Sequence, residues 1–415
     1  MTSQNRPAAQ RESGIDDLVA SIIGRQVSMF APDIASHLSL LHDAVRSRRI
    51  LVIGGGGTIG GITTELLIEL RPACVHVVDV SENYLAELVR TVRNRSDAVR
   101  DVDFRTLPFD FGGSIMRRFL FEEPPYDIVL NFAALKHVRS EKDVFSLLQM
   151  IDTNVVRQAR FKRWLSERGG CSRYFAVSTD KAANPSSLMG ASKRLMEDVL
   201  FDVSPRDDIT VTSARFANVA FSNGSLLQSF LLRLEARQPL AAPRETRRYF
   251  VSRQEAGEIC LLAALLGDHD RVYYPRMNPE TELRLLDVVA TQVLAHHGYR
   301  PVTYEDELQA RLDVERHAAD GGWPLLLTPL DTSGEKPFEE FLGRGESEAE
   351  TGFAGLRSLS HAKSAAQEQR LIDRLEALVT EPSERISKAD IVAAMAAAMP
   401  NFHHNETGRS LDQRV

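Results

Sequence analysis

Cysteine is scarce: Cys74, Cys171 and Cys260 are the only three in 415 residues, far apart and without a CxxC pair. An odd, scattered set argues against a disulfide framework and against a metal site of zinc-finger spacing, so no metal is expected. It fits a reducing, cytoplasmic compartment. Long apolar runs are missing too. Nothing approaches the ~18 apolar residues that signal a bilayer span, and the polar start, MTSQNRPAAQRES, lacks the apolar core of a secretion signal. A soluble protein without a membrane partner is expected. Basic blocks are also absent. The 50 Lys and Arg against 57 Asp and Glu give a net charge of -7, which argues against nucleic acid as a partner, because neutralising phosphates takes clustered cations. What is present is ordinary for a globular chain, with 43% hydrophobic and 26% charged residues, and the length allows two or three domains.

Residues 1–14 read as a disordered tail, and helical spacing of Ile15, Leu18, Ile22 and Ile23 marks 1–47 as an N-terminal tail with helices. From Arg49 the pattern alternates. ILVIG (50–54), CVHVVDV (74–80), VDFRTLPF (102–109), DIVLNFA (127–133), RYFAVS (173–178) and DITVTSARF (208–216) read as strands, with helices between them, notably 141–166 and 186–203. This alternation predicts an α/β fold over 48–265, a Rossmann-type doubly wound parallel sheet with right-handed crossovers. A smaller C-terminal substrate-binding region is expected over 266–342. Residues 343–415 read as a polar connector (343–368) before two short C-terminal helices. Helices 141–166 and 186–203 carry apolar residues on more than one side, which predicts a homodimer or a larger even-numbered assembly.

The first motif with chemistry is GGGGTIG at 54–60, between a strand and a helix. Gly54, Gly57 and Gly60 stand three apart, as a tight turn and close approach to a pyrophosphate require, and Thr58 and Ile59 open the helix whose N–H groups would face it. A carboxylate about 20 residues later completes a dinucleotide fingerprint. Asp79, ending the second strand, is placed to accept the ribose 2′- and 3′-hydroxyls and to repel a 2′-phosphate, so NAD is favoured over NADP. After the third strand, Asp110 and Phe111 are candidates for the adenine edge, the alternative being an ordinary turn. After the fourth, the small Ala133 and Ala134 let a bound dinucleotide pass, and Lys136 and His137 enter the loops where open α/β sheets bind ligands.

The most specific string is STDKAANPSSLMGASK at 178–193. Thr179, Asp180 and Lys181 put a hydroxyl, an acid and a base within three residues at the end of the fifth strand. In a short-chain dehydrogenase a tyrosine stands four residues before a lysine, one helical turn away, and takes a hydroxyl proton. The lysine is present as Lys193, but Met189 holds the tyrosine position, and methionine transfers no proton. Either the site is inactive or another group does the work.

Taken in order, GGGGTIGG, AALKHV, STDKAANPSSLMGASKR, RFANV and TRRYF resemble the bacterial polysaccharide-biosynthesis family of UDP-N-acetylglucosamine 4,6-dehydratases, extended members of the short-chain dehydrogenase group, over roughly 48–265. Segments DTSGEKPFEEF (331–341) and ETGRSLDQRV (406–415) resemble a soluble, shorter branch of it. Part of the family also carries methionine at the tyrosine position, so Met189 is compatible with activity. Two departures bear on the sugar: Asn223 stands where an arginine is usual, and Ala217 replaces the glycine of RFGNV.

The resemblance implies a lyase that binds NAD and a UDP-hexosamine. It oxidises C4, eliminates H5 and the C6 hydroxyl, and returns hydride to C6. Elimination needs an acid and a base on the same sugar. The resemblance gives Asp180 as the acid and Lys181 as the base, with Thr179 and Lys193 assisting at the C4 hydroxyl, and Asn218 and Arg248 on the diphosphate. The readings left beside it are a 4-epimerase, a variant that stops at a 5,6-ene, and a cofactor-binding regulator without catalysis.

Overall fold

Short apolar strands, each closed by a turn and most followed by a helix, build the centre of the chain. The computed structural model describes residues 8–136, 141, 143–202, 208–330, 334–361, 365–381, 386–399 and 402–404. One sheet contains β1 (Arg49–Ile53), β2 (Cys74–Val78), β3 (Asp103–Leu107), β4 (Ile128–Asn131), β5 (Arg173–Val177), β6 (Thr210–Ala214), β7 (Arg271–Pro275), β8 (Glu348–Ala349) and β9 (Leu356–Ser360). Their spatial order is β3-β2-β1-β4-β5-β6-β7-β9-β8. Strands β1 to β7 run parallel, whereas β9 is antiparallel to β7 and β8 to β9. Ile50 to Ile53 and all of β2 are buried, the mark of strands covered on both faces. The fold class expected from the alternation is the one observed. The order reverses between β1 and β4, and such reversals open the crevice in which doubly wound sheets bind ligands.

Around the sheet lie α1 (Thr58–Glu69), α2 (Glu82–Arg95), α3 (Val144–Ile151), α4 (Arg157–Arg168), α5 (Leu188–Asp202), α6 (Arg253–Leu266), α7 (Ala365–Thr380) and α8 (Lys388–Ala398). Helix α6 packs along α1 and against β5 and β6, while α5 meets β6 and α4. A π-helical turn, Asp152–Val156, joins α3 to α4. A second lobe holds the three-stranded parallel sheet Arg300–Tyr304, Gly322–Thr328 and Leu240–Pro243, in that order. Its core joins Leu240, Val289, Val293 and Trp323 to Leu18, Ile22 and Ile23 of the N-terminal helix Ala8–Ile23.

Three expectations need correction. Residues 8–14 begin that helix rather than extending a tail; Leu18, Ile22 and Ile23, which dock it, lie in its second half. Residues 343–360 are no connector but supply β8 and β9. Leu356 and Leu359 sink into the main core, a pattern too short to stand out among polar neighbours. And β7, beyond the expected boundary at 265, belongs to the main sheet. Helices α7 and α8 do form, and they have a use. Ile372, Leu375, Ile391 and Met395 pack with Leu147, Met150, Ile151, Leu188 and Leu195. The apolar sides of α3 and α5, on which the expectation of subunit pairing rested, are thus covered by the chain's own C-terminal helices. Among the described residues, no helix is long and apolar enough to cross a membrane.

Candidate active site

The turn after β1 is shaped by contacts only glycine allows. Gly54 has a φ of +71°, and a Cβ there would stand 2.6 Å from the Ala133 nitrogen. At Gly60 a Cβ would stand 2.5 Å from the Gly54 oxygen. The two glycines let the turn fold tightly against the loop after β4. Gly57 is the N-cap of α1, and no side chain caps the helix. The N–H groups of Thr58 and Ile59 therefore open the helix beside that turn, the arrangement that favours an anion. The Thr58 hydroxyl accepts the Asn223 N–H at 3.0 Å and ties in the loop after residues 218–219. Ile59 packs on the main core.

Asp79 directly follows β2 and is half-buried. Its Oδ2 accepts the Gly56 N–H at 3.0 Å and its Oδ1 the Ser81 N–H at 2.9 Å, which aims the carboxylate at the glycine turn. Asp110 accepts the Gly112 N–H at 2.9 Å and pairs with Arg157. Phe111 is buried against Phe161, ring centroids 6.1 Å apart, so its side chain serves the core and only its backbone remains for a ligand. Ala133 donates its N–H to Asn131 Oδ1 at 2.9 Å. Ala134 is half-buried in the same loop, where Lys136 is exposed. His137 lies outside the described residues, as does the segment 406–415.

The triplet after β5 forms one hydrogen-bonded group. Asp180 is 2% exposed. Its Oδ1 accepts from Thr179 Oγ1 at 2.8 Å and from Lys181 Nζ at 3.1 Å. Its Oδ2 is buried without a hydrogen-bond partner among the described residues. The Thr179 hydroxyl also caps the 3-10 turn Asp180–Ala182. Lys193, 3% exposed, reaches back from α5 to donate to the Val177 carbonyl at 2.7 Å, at the strand end that presents the triplet. Burial pushes its ammonium down to about 8, partly offset by Glu197. Met189 is buried in the cluster between α5 and the C-terminal helices, so no proton-transfer group stands at the tyrosine position. Its N–H is accepted by Glu141 Oε1 at 2.9 Å. Burial raises the Glu141 carboxyl above its usual range, against the pull of the Met189 and Leu188 N–H groups.

The family model described as polysaccharide biosynthesis protein matches residues 50–357. The chain belongs to that family. CapD of Staphylococcus aureus, a capsular polysaccharide biosynthesis protein, is 29% identical over 245 residues, 57% of this chain and 39% of CapD. A UDP-N-acetylglucosamine 4,6-dehydratase (inverting) of Campylobacter jejuni is 27% identical over 208 residues, 44% of this chain and 52% of that protein. The chain thus spans about half or less of the length of these two relatives. Among solved structures, Pen from Bacillus thuringiensis superposes with a TM-score of 0.62 at 18% identity, covering 86% of this chain and 99% of that one; this likeness shows the shared fold.

Within this family member the remaining expected residues take different places. Asn218 is half-buried and donates Nδ2 to the Tyr249 carbonyl at 3.3 Å. Arg248, expected on a diphosphate, donates to the carbonyls of Arg247, Lys336 and Pro337 at 2.8, 3.0 and 3.3 Å. It thereby fastens the segment 334–341 over the triplet. Three residues escaped the sequence reading. Asn131 donates Nδ2 to Gln158 and Tyr174 while its Oδ1 holds Ala133. Asn154, in the π turn, accepts the Leu135 N–H at 2.9 Å and donates to the Leu135 carbonyl and to Ser192, both at 2.9 Å. It clamps the loop after β4 to α5. Glu339 enters beside Lys181, its Oε1 3.9 Å from Nζ. A lone asparagine inside an apolar helical stretch was the available signal for Asn154. The cluster Cys74, His76 and Asp103 has metal-ligand spacing, but the His76 nitrogens lie 2.6 Å from Tyr126, 3.1 Å from Asp103 and 2.8 Å from the Arg105 guanidinium, a cation that a bound metal would have to displace.

Proposed function

We propose that the protein is an NAD-dependent nucleotide-sugar 4,6-dehydratase that converts UDP-N-acetylglucosamine to a UDP-4-keto-6-deoxy-N-acetylhexosamine. The observation that carries this reading is the Asp180–Lys181 pair, an acid and a base in mutual contact at the mouth of the sheet. Mere oxidation and re-reduction at C4 would leave such a pair without a task. The Campylobacter relative is named for this substrate and reaction, which supports the reading.

The residues around the glycine turn fit a dinucleotide. The opening N–H groups of α1 suit its pyrophosphate, Asp79 its adenosine ribose hydroxyls, and Asp110 with the Phe111 backbone its adenine. NAD supplies a hydride acceptor for C4 and a donor for C6. The chain supplies the proton handling. Thr179 and Lys193 take up the C4 hydroxyl proton. Transfer of one proton across the Lys181–Asp180 hydrogen bond turns the ion pair into a neutral amine beside a carboxylic acid, with no proton drawn from outside. Lys181 then removes H5 as Asp180 protonates the departing C6 oxygen, and the C6–O bond breaks to release water. Lys181 ends protonated and Asp180 ionised, which restores the ion pair; as C6 is reduced Lys181 gives a proton to C5, and the proton taken from the C4 hydroxyl replaces it.

Asn218, Lys136 and Arg248 belong to the same reading as neighbours of the UDP moiety, Arg248 through the segment it holds. A homodimer or larger even assembly remains part of the proposal, seated either on another face or on an exchange of α7 and α8 between copies. A cytoplasmic location fits the nucleotide-sugar substrate. The decisive test is incubation of the protein with NAD and UDP-N-acetylglucosamine, followed by mass spectrometry. Loss of one water from the sugar nucleotide with a ketone at C4 is expected. Recovery of a C4 epimer alone, or of unchanged sugar, overturns the assignment.

A further inference from the structure

The segment 334–341 is fastened along its length. Ser186 Oγ donates to the Gly334 carbonyl at 3.0 Å. The Arg247 N–H donates to the Pro337 carbonyl at 2.7 Å, and Arg248 holds the carbonyls on either side of that peptide bond. Arg215 donates to the Phe341 carbonyl at 2.7 Å, and the Phe341 ring stacks on Tyr249 and Tyr274 at 5.3 and 5.6 Å. Lys336 Nζ donates to the Asn184 carbonyl, and Asn184 Nδ2 donates to Glu340 at 3.0 Å. So much anchoring delivers one residue inward. Glu339 is 4% exposed. Its Oε1 stands 3.9 Å from Lys181 Nζ and its Oε2 3.4 Å from Lys336 Nζ, yet among the described residues Oε2 makes no hydrogen bond.

We propose that Glu339 is a positioning residue of the sugar site: with Asp180 it holds Lys181 Nζ between two carboxylates, and it offers its unsatisfied oxygen to a hydroxyl of a bound hexose. Asp180 Oδ2 and Glu339 Oε2 are both buried acceptors without a hydrogen bond among the described residues. Buried acceptors are ordinarily paired. A polyhydroxylated ligand carries several O–H donors and satisfies both at once. The charged groups facing Lys181 are then Asp180, Glu339 and, behind Glu339, Lys336. This inference rests on the proposed reaction for the identity of the sugar, but the contact between Glu339 and Lys181 does not depend on it.

Two measurements separate these levels. The first uses no sugar. Reductive methylation of Lys181 is followed by peptide mass spectrometry in the wild type, Glu339→Gln and Glu339→Asp. Gln keeps the shape and removes the charge; Asp keeps the charge. Labelling of Lys181 is expected to be roughly tenfold faster in Glu339→Gln, the effect of removing one opposite charge within ~4–6 Å, with Glu339→Asp nearer the wild type. Equal labelling in all three, or a Gln variant like the wild type beside a fast Asp variant, overturns the proposal. The second measurement uses NAD-loaded protein and UDP-N-acetylglucosamine. Glu339→Gln is expected to raise KM and slow loss of water while C4 oxidation, read as NADH absorbance, proceeds. Unchanged KM and kcat also overturn it. If the wild type leaves this sugar untouched, the reaction assignment falls, and the labelling series still decides the role of Glu339.

Discussion

The hydroxyl of Ser178 donates to Glu197 Oε1 at 2.6 Å, and Arg215 grips the same carboxylate with Nε at 2.9 Å and a terminal nitrogen at 2.7 Å. This link ties the residue before the triplet to α5 and β6, and Glu346, beside β8, closes the group on the far side of Arg215. Burial alone would raise the Glu197 carboxyl; Arg215, with Arg194 3.8 Å from the same carboxylate, overcomes it and holds it at about 2.

A depressed carboxylate contributes stability above its unfolded value and loses it as pH falls. Unfolding midpoints are therefore expected to hold down to pH about 4.5 and to drop between there and about 2. Arg215→Met, which leaves Glu197 buried and unpaired, should cost about 3–5 kcal/mol and move the fall to higher pH. A midpoint in urea that is insensitive to the substitution counts against this account.

Lys193 gives the opposite sign. Its folded value of about 8 lies below the ordinary 10.5, so the unfolded chain binds more protons between those values. Between pH about 6 and 10.5, the unliganded protein is expected to gain stability above 8, and turnover to rise up to about 8 and then level off, as the neutral amine that takes the C4 hydroxyl proton becomes populated. Lys193→Met removes both trends and lowers turnover by roughly 10²–10⁴, the range of proton-transfer groups. Thermal melts and rates measured across that interval on both proteins decide it.

For the acid and base, isotopes distinguish the two roles. Product formed in D2O should carry deuterium at C5. Lys181→Met is expected to stop both elimination and C5 exchange while C4 oxidation survives. Asp180→Asn should slow water loss but leave exchange running. Near-normal turnover and C5 labelling in Lys181→Met would mean that another base removes H5.

Asp79 sets the last expectation. Asp79→Ala removes the negative charge proposed to face the adenosine ribose, so the ratio of NAD to NADP affinity should fall toward unity. Calorimetric titration with the two cofactors measures it, and tight NADP binding by the unaltered protein would contradict the assignment.

Much of this architecture was legible in the sequence, and the exceptions share a cause. The six strands from β1 to β6, the glycine turn and the triplet are local patterns. A four-residue apolar run followed by Gly54, or Thr179-Asp180-Lys181 at a strand end, carries its meaning within a few residues. Glu339 and Asn154 do not. Their importance depends on which carbonyl or ammonium the fold brings to them from 158 or 19 positions away, and no periodicity encodes that. Strands β8 and β9 were hidden because edge strands of two and five residues hold too few apolar positions to outweigh GRGESEAETG.

The region matched by the family model ends at residue 357, partway along β9 and before α7 and α8. A fragment trimmed to that boundary would retain the glycine turn, the Thr179–Lys181 triplet and Lys193 and still strip the cover from Leu188, Leu195 and Met189 on the helix that carries Lys193. Boundaries drawn from shared sequence would then yield a protein whose proposed site is complete and whose supporting helix is left lying half in water.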